Sequence, residues 1–144
     1  MPSLVQLGSL GGATAIPEGL FRAFFDATPA GLHAFRWTSA TGMVDLGTLG
    51  DENRVIEIMG MSADGSVIVG NAMRTTSAVA RRPYRWTSAT GMQDLNALLA
   101  GAGVNMTGIT LTHAAGISEN GAVIFGVGNF PESVAMPYIA DFSR

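Results

Sequence analysis

The chain has 144 residues, 47% of them hydrophobic and 13% charged, which excludes a disordered polymer and suffices for one domain with a hydrophobic core. Its net charge of −3 and its scattered arginines give no electrostatic basis for nucleic-acid binding. Cysteine is absent, which excludes disulfides and thiolate chemistry, and no apolar run reaches the roughly 18 residues of a membrane-spanning helix.

The N-terminal segment predicts a strand over residues 3–7, followed by a turn. Leu7-Gly-Ser-Leu-Gly-Gly12 resembles Leu46-Gly-Thr-Leu-Gly50, an element that closes a repeat unit farther along the chain. The strand at the other end, Pro137-Tyr-Ile-Ala-Asp-Phe142, lacks this closing element. We therefore expect the N-terminal strand to complete the last unit. The segment shows neither the basic nor the apolar region of a signal peptide.

The next segment, Pro17 to Ala27, has two interpretations. With proline at its first position it can form a short amphipathic helix. The apolar face of that helix would hold Leu20, Phe21, Phe24 and Phe25. Alternatively, Leu20-Phe21 belongs to the inner strand of a degenerate first unit, because Ala15-Ile-Pro-Glu-Gly19 partly matches a repeated element described below. We favour the strand.

An octapeptide occurs twice, as Arg36-Trp-Thr-Ser-Ala-Thr-Gly-Met43 and as Arg85-Trp-Thr-Ser-Ala-Thr-Gly-Met92. The two tryptophans are 49 residues apart, a spacing typical of repeats in which each unit is one small stacked sheet. Both copies run on into an aspartate-leucine pair, Asp45-Leu46 and Asp94-Leu95. The duplication indicates an array of repeat units.

A second element is repeated, as Gly60-Met-Ser-Ala-Asp-Gly-Ser-Val-Ile-Val-Gly70 and as Gly116-Ile-Ser-Glu-Asn-Gly-Ala-Val-Ile-Phe-Gly126. Its Asp64-Gly65 and Asn120-Gly121 dipeptides predict two-residue hairpins with a type I′ turn. The apolar runs that follow do not alternate with polar residues. They predict inner strands that are covered on both faces.

Seven additional residues lie between the repeated elements of the second half, around Ala97 to Gly108. This stretch is rich in glycine and alanine, so we expect a loop insertion. In repeat proteins such insertions fall on one loop face, which is often the binding face. A neutral insertion in a solvated loop is the other interpretation.

These patterns predict an all-β fold, a β-propeller-like array of about three four-stranded antiparallel blades. We expect a single repeat domain over residues 1–144, with units at approximately 8–50, 51–99 and 100–144 and the strand at 3–7. Three units are fewer than the four to eight blades of a propeller. The chain is therefore expected either to associate with itself to complete a ring, with a dimer favoured, or to form a three-unit sheet assembly.

The sequence resembles the HAF-repeat family, named for a His-Ala-Phe triplet. The residues that carry the resemblance are His33-Ala-Phe-Arg-Trp37, Gly42-Met-Val-Asp-Leu-Gly-Thr-Leu-Gly50 and Gly60 to Gly70. The triplet is replaced by Arg82-Pro-Tyr84 in the second unit and by Met136-Pro-Tyr138 in the third. The family occurs in bacterial proteins described as probable extracellular and is similar in organisation to propeller arrays. The resemblance implies export or a surface location and no transferable catalytic motif.

Aromatic and basic residues are the candidates for ligand contact. Period-two geometry places Trp37 and Trp86 on one strand face and the neighbouring Arg36 and Arg85 on the other. A tryptophan that recurs once per unit more often packs between units than binds a ligand, so we expect a core role. Stacking on a glycan is the alternative role of the tryptophans.

The titratable residues give weak signals for chemistry. His33 and His113 are the only histidines, and they too are candidates for ligand contact. They stand at non-equivalent repeat positions, so we expect no metal site and no cofactor. Asp45 and Asp94 recur, but they are expected to bond local backbone rather than to act as paired catalytic carboxylates. Asp64 and Asn120 are expected to form turns.

The leading hypothesis is a non-enzymatic extracellular or surface module that acts as a scaffold or binds a protein partner or a glycan. No nucleic acid and no membrane insertion are expected. One alternative is a fragment of a propeller-type hydrolase that uses carboxylates. Another is a self-assembling propeller subunit without a ligand.

Overall fold

The computed structural model of the chain describes residues 22–28, 31–38, 40–50, 55–74, 77–131 and 134–143. Most of these residues lie in antiparallel strands, which confirms the predicted β class. The strands are β1 (Arg22–Thr28), β2 (Gly31–Thr38), β3 (Gly42–Asp45), β4 (Val55–Met61), β5 (Val67–Arg74), β6 (Ser77–Thr87), β7 (Gly91–Asp94), β8 (Thr110–Ile117), β9 (Val123–Phe130) and β10 (Val134–Asp141), and one helix, α1 (Leu95–Gly101), follows β7.

The strands form three antiparallel groups in chain order. The first unit is β1–β2–β3, the middle unit is β4–β5–β6–β7 and the last unit is β8–β9–β10. A single parallel pair, Leu32 with Val55, joins the first two units into one seven-stranded sheet. The middle unit therefore has the four antiparallel strands that the sequence predicted.

Two hydrophobic clusters lie between neighbouring units. The first cluster joins the first and middle units and comprises Ala34, Leu46, Ile56, Ile68, Ala72, Tyr84 and Trp86. The second cluster joins the middle and last units and comprises Val69, Leu95, Leu111, Ala114, Ile124, Tyr138 and Ala140. The units are thus packed face to face.

Strand β5 is buried on both faces, as its run of apolar residues predicted. Ile68 belongs to the first cluster and Val69 to the second, because successive side chains of a strand point to opposite faces. Strand β9 of the last unit was also expected to be buried on both faces, and this prediction is wrong for one face. Ile124 is fully buried, whereas Phe125 is 47% exposed, because the structure describes no further sheet beyond the last unit.

The turn between β4 and β5 is a four-residue loop, which corrects the predicted two-residue hairpin. Ser62 N donates to Val67 O at 2.9 Å, so the loop comprises residues 63–66. Asp64 Oδ1 accepts hydrogen bonds from Ser62 Oγ, from Ser66 N and from Ser66 Oγ. These side-chain bonds stabilise a longer loop in which Gly65 takes a positive φ of 74°.

The turn between β8 and β9 repeats this loop. Ser118 N donates to Val123 O at 2.8 Å, and Asn120 Oδ1 accepts from Ser118 Oγ and from Ala122 N. Gly121 has a φ of 76°. Asp64 and Asn120 therefore form turns, as predicted, although not turns of the predicted type.

The seven-residue insertion begins with a helix rather than a loop. The carboxylate of Asp94 caps α1 by accepting from Asn96 N at 2.8 Å and from Ala97 N at 3.4 Å. The first unit has Gly47 and Gly50 where α1 has Asn96 and Leu99, and those glycines take φ values of 84° and 141°. A helix forms only where residues suited to helical φ values replace the two glycines.

The described residues cover only part of the two segments for which N-terminal predictions were made. The segment Pro17 to Ala27 is a strand from Arg22 onward, which agrees with the favoured interpretation. Its remaining residues, 17–21, and the expected strand at residues 3–7 lie outside the described residues.

Candidate functional site

Each copy of the octapeptide combines a buried strand end with an exposed turn. After the tryptophan, Thr38 Oγ1 contacts Thr41 Oγ1 at 2.6 Å and accepts from Thr41 N at 3.1 Å. Thr87 and Thr90 repeat these contacts at 2.7 and 3.3 Å. Glycine follows each turn with a positive φ, 68° in one copy and 70° in the other. The threonine and glycine positions of the octapeptide thus serve the turn.

The two tryptophans lie in the interior. Trp37 is 1% exposed and Trp86 is 4% exposed, and Trp86 packs in the first cluster. The guanidinium of Arg36 lies over the Trp86 ring at 5.9 Å from its centroid. This contact joins the first and middle units and agrees with the predicted placement of arginine and tryptophan on opposite strand faces.

Arg85 makes the equivalent contact one unit later. Its guanidinium lies 5.3 Å from the centroid of the Phe142 ring, which follows β10. Burial lowers the pKa of Arg85. An arginine on one unit therefore contacts an aromatic ring of the next at both interfaces, an arrangement that stabilises stacked sheets by a cation–π interaction.

The recurring aspartates pair with residues at the position of the His-Ala-Phe triplet. His33 Nδ1 lies 2.8 Å from Asp45 Oδ2, and Gly47 N donates to Asp45 Oδ1 at 2.8 Å. In the middle unit Arg82 forms an ion pair with Asp94, the residue that caps α1. Each aspartate thus binds the first strand of its hairpin and the turn that follows. Their hydrogen bonds are local and structural, as predicted.

His113 lies in β8 and is half-buried. Its Nδ1 is 2.9 Å from the hydroxyl of the preceding Thr112, and its backbone oxygen accepts from Tyr138 Oη at 2.9 Å. His33 and His113 belong to different units. Among the described residues no group of three histidine, aspartate or glutamate side chains is placed to hold a metal ion.

Sequence analysis missed two asparagines that attach β8 to the middle unit. Asn71, 1% exposed, accepts from Ala114 N at 2.8 Å and donates to Ala114 O at 3.2 Å. Asn96 accepts from Leu111 N at 2.8 Å and donates to Leu111 O at 3.0 Å. The sequence contained a signal for this role of Asn71, because Asn71 is a polar residue that follows the apolar run of an inner strand.

A tyrosine–glycine pair also escaped sequence analysis. Tyr84 Oη donates to Glu57 O at 3.0 Å, just as Tyr138 donates to His113 O in the last unit. Gly70 leaves room for this bond, since a Cβ there would lie 2.0 Å from Glu57 O. Burial raises the pKa of Tyr84 above its usual range and that of Tyr138 to about 12.

Two hollows border the insertion. One, of about 600 Å³, is open to solvent and lies between Asp94 and α1, lined by Gln93, Asp94, Ala97, Leu98, Gly101 and Ala102. The other, of about 190 Å³, is an apolar groove between the insertion and β10. The carboxylate of the larger hollow, Asp94, is already bonded to Arg82 and to the α1 backbone.

Comparison with known proteins identified no match. No protein-family model, no curated protein and no solved structure matches the chain. In the described part of the chain, no helix is long and apolar enough to span a bilayer.

Proposed function

We propose that the chain is a non-enzymatic module of the HAF-repeat type that lies outside the cell or on its surface. It acts as a scaffold or binds a protein partner or a glycan. The HAF resemblance is the basis for the location. No protein-family model matches the chain, and the resemblance is carried by the segments at residues 33–37, 42–50 and 60–70.

The proposed architecture is a propeller-like stack of three blades. The face-to-face clusters between successive units and the arginine–aromatic contact at each interface support it. In this arrangement residues 3–7 supply the fourth strand of the last unit. The match of Leu7-Gly-Ser-Leu-Gly-Gly12 to Leu46-Gly-Thr-Leu-Gly50 supports that role.

One observation carries the non-enzymatic role: the candidate chemical groups are engaged in holding units together or in closing turns. Both tryptophans are buried, Asp45 is bonded to His33 and Asp94 to Arg82, and both aspartates accept from backbone N–H groups of their own units. A general acid or nucleophile needs a carboxylate directed at substrate, whereas these two serve their own units.

The test is a screen of generic glycosidase and esterase substrates with the wild type and with Asp45→Asn and Asp94→Asn. We expect no turnover by any of the three proteins. Turnover by the wild type would overturn the non-enzymatic role, and its loss in either variant would assign the activity to that carboxylate. Asparagine retains the helix cap at position 94, so loss of activity there would report the carboxylate and not a lost helix.

Ligand binding is tested in parallel on immobilised glycans, with tryptophan fluorescence as the readout. Because Trp37 and Trp86 are buried, we expect blue-shifted emission, weak quenching by acrylamide and no change on adding sugar. Quenching by a sugar would reassign a tryptophan from the core to a binding platform.

A further inference from the structure

The outer face of the last unit is apolar and exposed. Side chains alternate along β9 and β10, and one set, with Ile124, Tyr138 and Ala140, packs in the second cluster. The opposite set is here called the outer face. Its exposed members are Phe125, Val127, Asn129, Ala135, Pro137, Ile139 and, at the end of β10, Asp141. Ile139 is 74% exposed, Phe125 47% and Val127 39%. Soluble proteins rarely leave such a contiguous apolar surface without an interaction partner.

The same face of the middle unit is an interface. Val69 lies opposite Arg85, and Asn71 lies opposite Pro83, as Phe125 lies opposite Ile139 and Val127 opposite Pro137. In the middle unit Val69, Asn71 and Pro83 are all less than 2% exposed. They are covered by the last unit. The repeat thus shows that this face of a unit is built to be covered by another sheet.

The last unit lacks the two polar residues that attach a following unit. Val127 stands where Asn71 binds the backbone of β8, and Ile139 stands where Arg85 contacts Phe142. A further unit of the same kind would lose both of these contacts on the outer face. What remains is a surface suited to purely apolar sheet-on-sheet packing.

The face of the first unit that points away from the middle unit is also unsuited to cover the outer face of another copy. Trp37 and Phe35 lie on the face away from the middle unit, and they are already 1% and 6% exposed. A ring in which the last unit of one copy covers the first unit of another would have to displace whatever buries them. The outer face therefore needs a partner surface that is itself exposed.

We propose that the outer face packs against the same face of a second copy across a two-fold axis. A two-fold axis brings residues near it close to their own counterparts, so any charge there would meet a like charge. The charged residue of the outer face, Asp141, lies at its end, where its carboxylate accepts from Ser143 N and from Ser143 Oγ, and the central residues Phe125, Val127 and Ile139 are uncharged. The inference goes beyond the proposed function, and it replaces the ring expected from the sequence with a two-fold dimer of defined surface.

Light scattering over a dilution series tests the surface. We expect the wild type to have twice the chain mass of 14.9 kDa and to dissociate on dilution. Ile139→Glu places two carboxylates at the interface and should weaken the dimer about a hundredfold or more. Met59→Glu is the matched control, because Met59 is 45% exposed but lies in β4 of the middle unit.

Both substitutions are at exposed positions, so unchanged thermal unfolding of diluted samples will show that the variants fold. A wild type that stays monomeric at all concentrations overturns the inference, and so does a dimer that Ile139→Glu leaves intact. A monomer would leave the non-enzymatic role untouched, whereas hydrolysis in the substrate screen would overturn that role and leave the dimer in place.

Cross-linking tests the symmetry. The chain has no cysteine, so Ile139→Cys introduces a single thiol, and a short bismaleimide should join two copies of that variant. Val127→Cys should behave alike, whereas Met59→Cys in β4 should remain uncross-linked. A dimer broken by Ile139→Glu in which neither outer-face thiol cross-links to its own counterpart would overturn the two-fold arrangement in favour of a ring.

Discussion

At the scale of single residues, the interface between the middle and last units depends on side-chain amides that satisfy backbone groups. Asn71 and Asn96 each form two hydrogen bonds to one residue of β8. Strand β8 has register shifts against β9 between Leu111 and His113 and between Ala114 and Gly116. The asparagines therefore bind the strand where its ladder is irregular and satisfy buried backbone groups there.

Replacing Asn71 with alanine should lower the free energy of unfolding by about 2–3 kcal/mol, because a buried N–H and a buried C=O of Ala114 lose their partners. Urea unfolding measures this loss. Asn105→Ala is the control, since Asn105 is exposed and its carbonyl bonds only Thr107 N within its own loop. Equal stability of the two variants would contradict the role given to Asn71.

A pH dependence is expected from Asp64. Hydrogen bonds from the Ser66 hydroxyl, the Ser66 backbone and the Ser62 hydroxyl lower the pKa of Asp64 to about 2 in the folded chain. The folded state therefore gains stability from the ionised carboxylate above the ordinary pKa near 3.8, and this gain is lost as pH falls toward 2.

The measurement is a comparison of unfolding between pH 5 and about 2 for the wild type and Asp64→Asn. Asparagine occupies the equivalent turn position at Asn120, where it accepts the bonds that correspond to those from Ser62 Oγ and Ser66 N. We expect the variant to fold normally near neutral pH and to lose less stability on acidification. Parallel profiles would show that Asp64 titrates with its ordinary pKa.

At the scale of elements, the central strand β5 sets the spacing between its neighbours. Its residues alternate between two clusters, and Gly70 removes a side chain where Tyr84 Oη reaches Glu57 O. Gly126 repeats this arrangement in β9, where a Cβ would lie 2.0 Å from His113 O. Glycine in these strands is required by close approach of backbone and tyrosine and not by an unusual φ.

Gly70→Ala should therefore lower the free energy of unfolding by about 3 kcal/mol or more, because the new methyl group overlaps a backbone oxygen. Gly101→Ala at the end of α1 is the matched control. No atom lies within 4 Å of a Cβ built at Gly101, so that change should be neutral or slightly stabilising. Tolerance of alanine at both positions would contradict the packing of β5.

The contrast between α1 and the turn after β3 shows where sequence reasoning succeeded and failed at this scale. Both segments follow an Asp-Leu pair, and in both the leucine is buried. A loop was predicted from seven additional residues rich in glycine and alanine, and the replacement of Gly47 and Gly50 by Asn96 and Leu99 was not used. Helix formation depended on the Asp94 cap and on Asn96 bonds to β8, a strand remote in sequence. A local pattern does not contain such long-range partners.

At the scale of the whole molecule, the three units should unfold together. The two clusters share β5, so removing either interface exposes one face of the same strand. In stacked repeats stability is distributed over nearest-neighbour interfaces, and strong coupling gives one transition.

We expect Val69→Ala, a change in the second cluster, to destabilise the chain by about 2 kcal/mol as judged by Trp86 fluorescence, which reports the first cluster. A Trp37→Phe background isolates the signal of Trp86. Val104→Ala, exposed in the insertion, is the control. A Trp86 transition that Val69→Ala leaves unchanged would show that the two interfaces unfold independently.

The sequence by itself determined the β class, the repeated turns and the buried inner strand of the middle unit, because these follow from local preferences and from the pattern of apolar residues. The tertiary structure alone decided which faces are covered. Val69 and Phe125 occupy the same repeat position, yet one is fully buried and the other 47% exposed. Burial depends on whether another sheet lies beyond the strand, and a residue's neighbours in sequence do not contain that information.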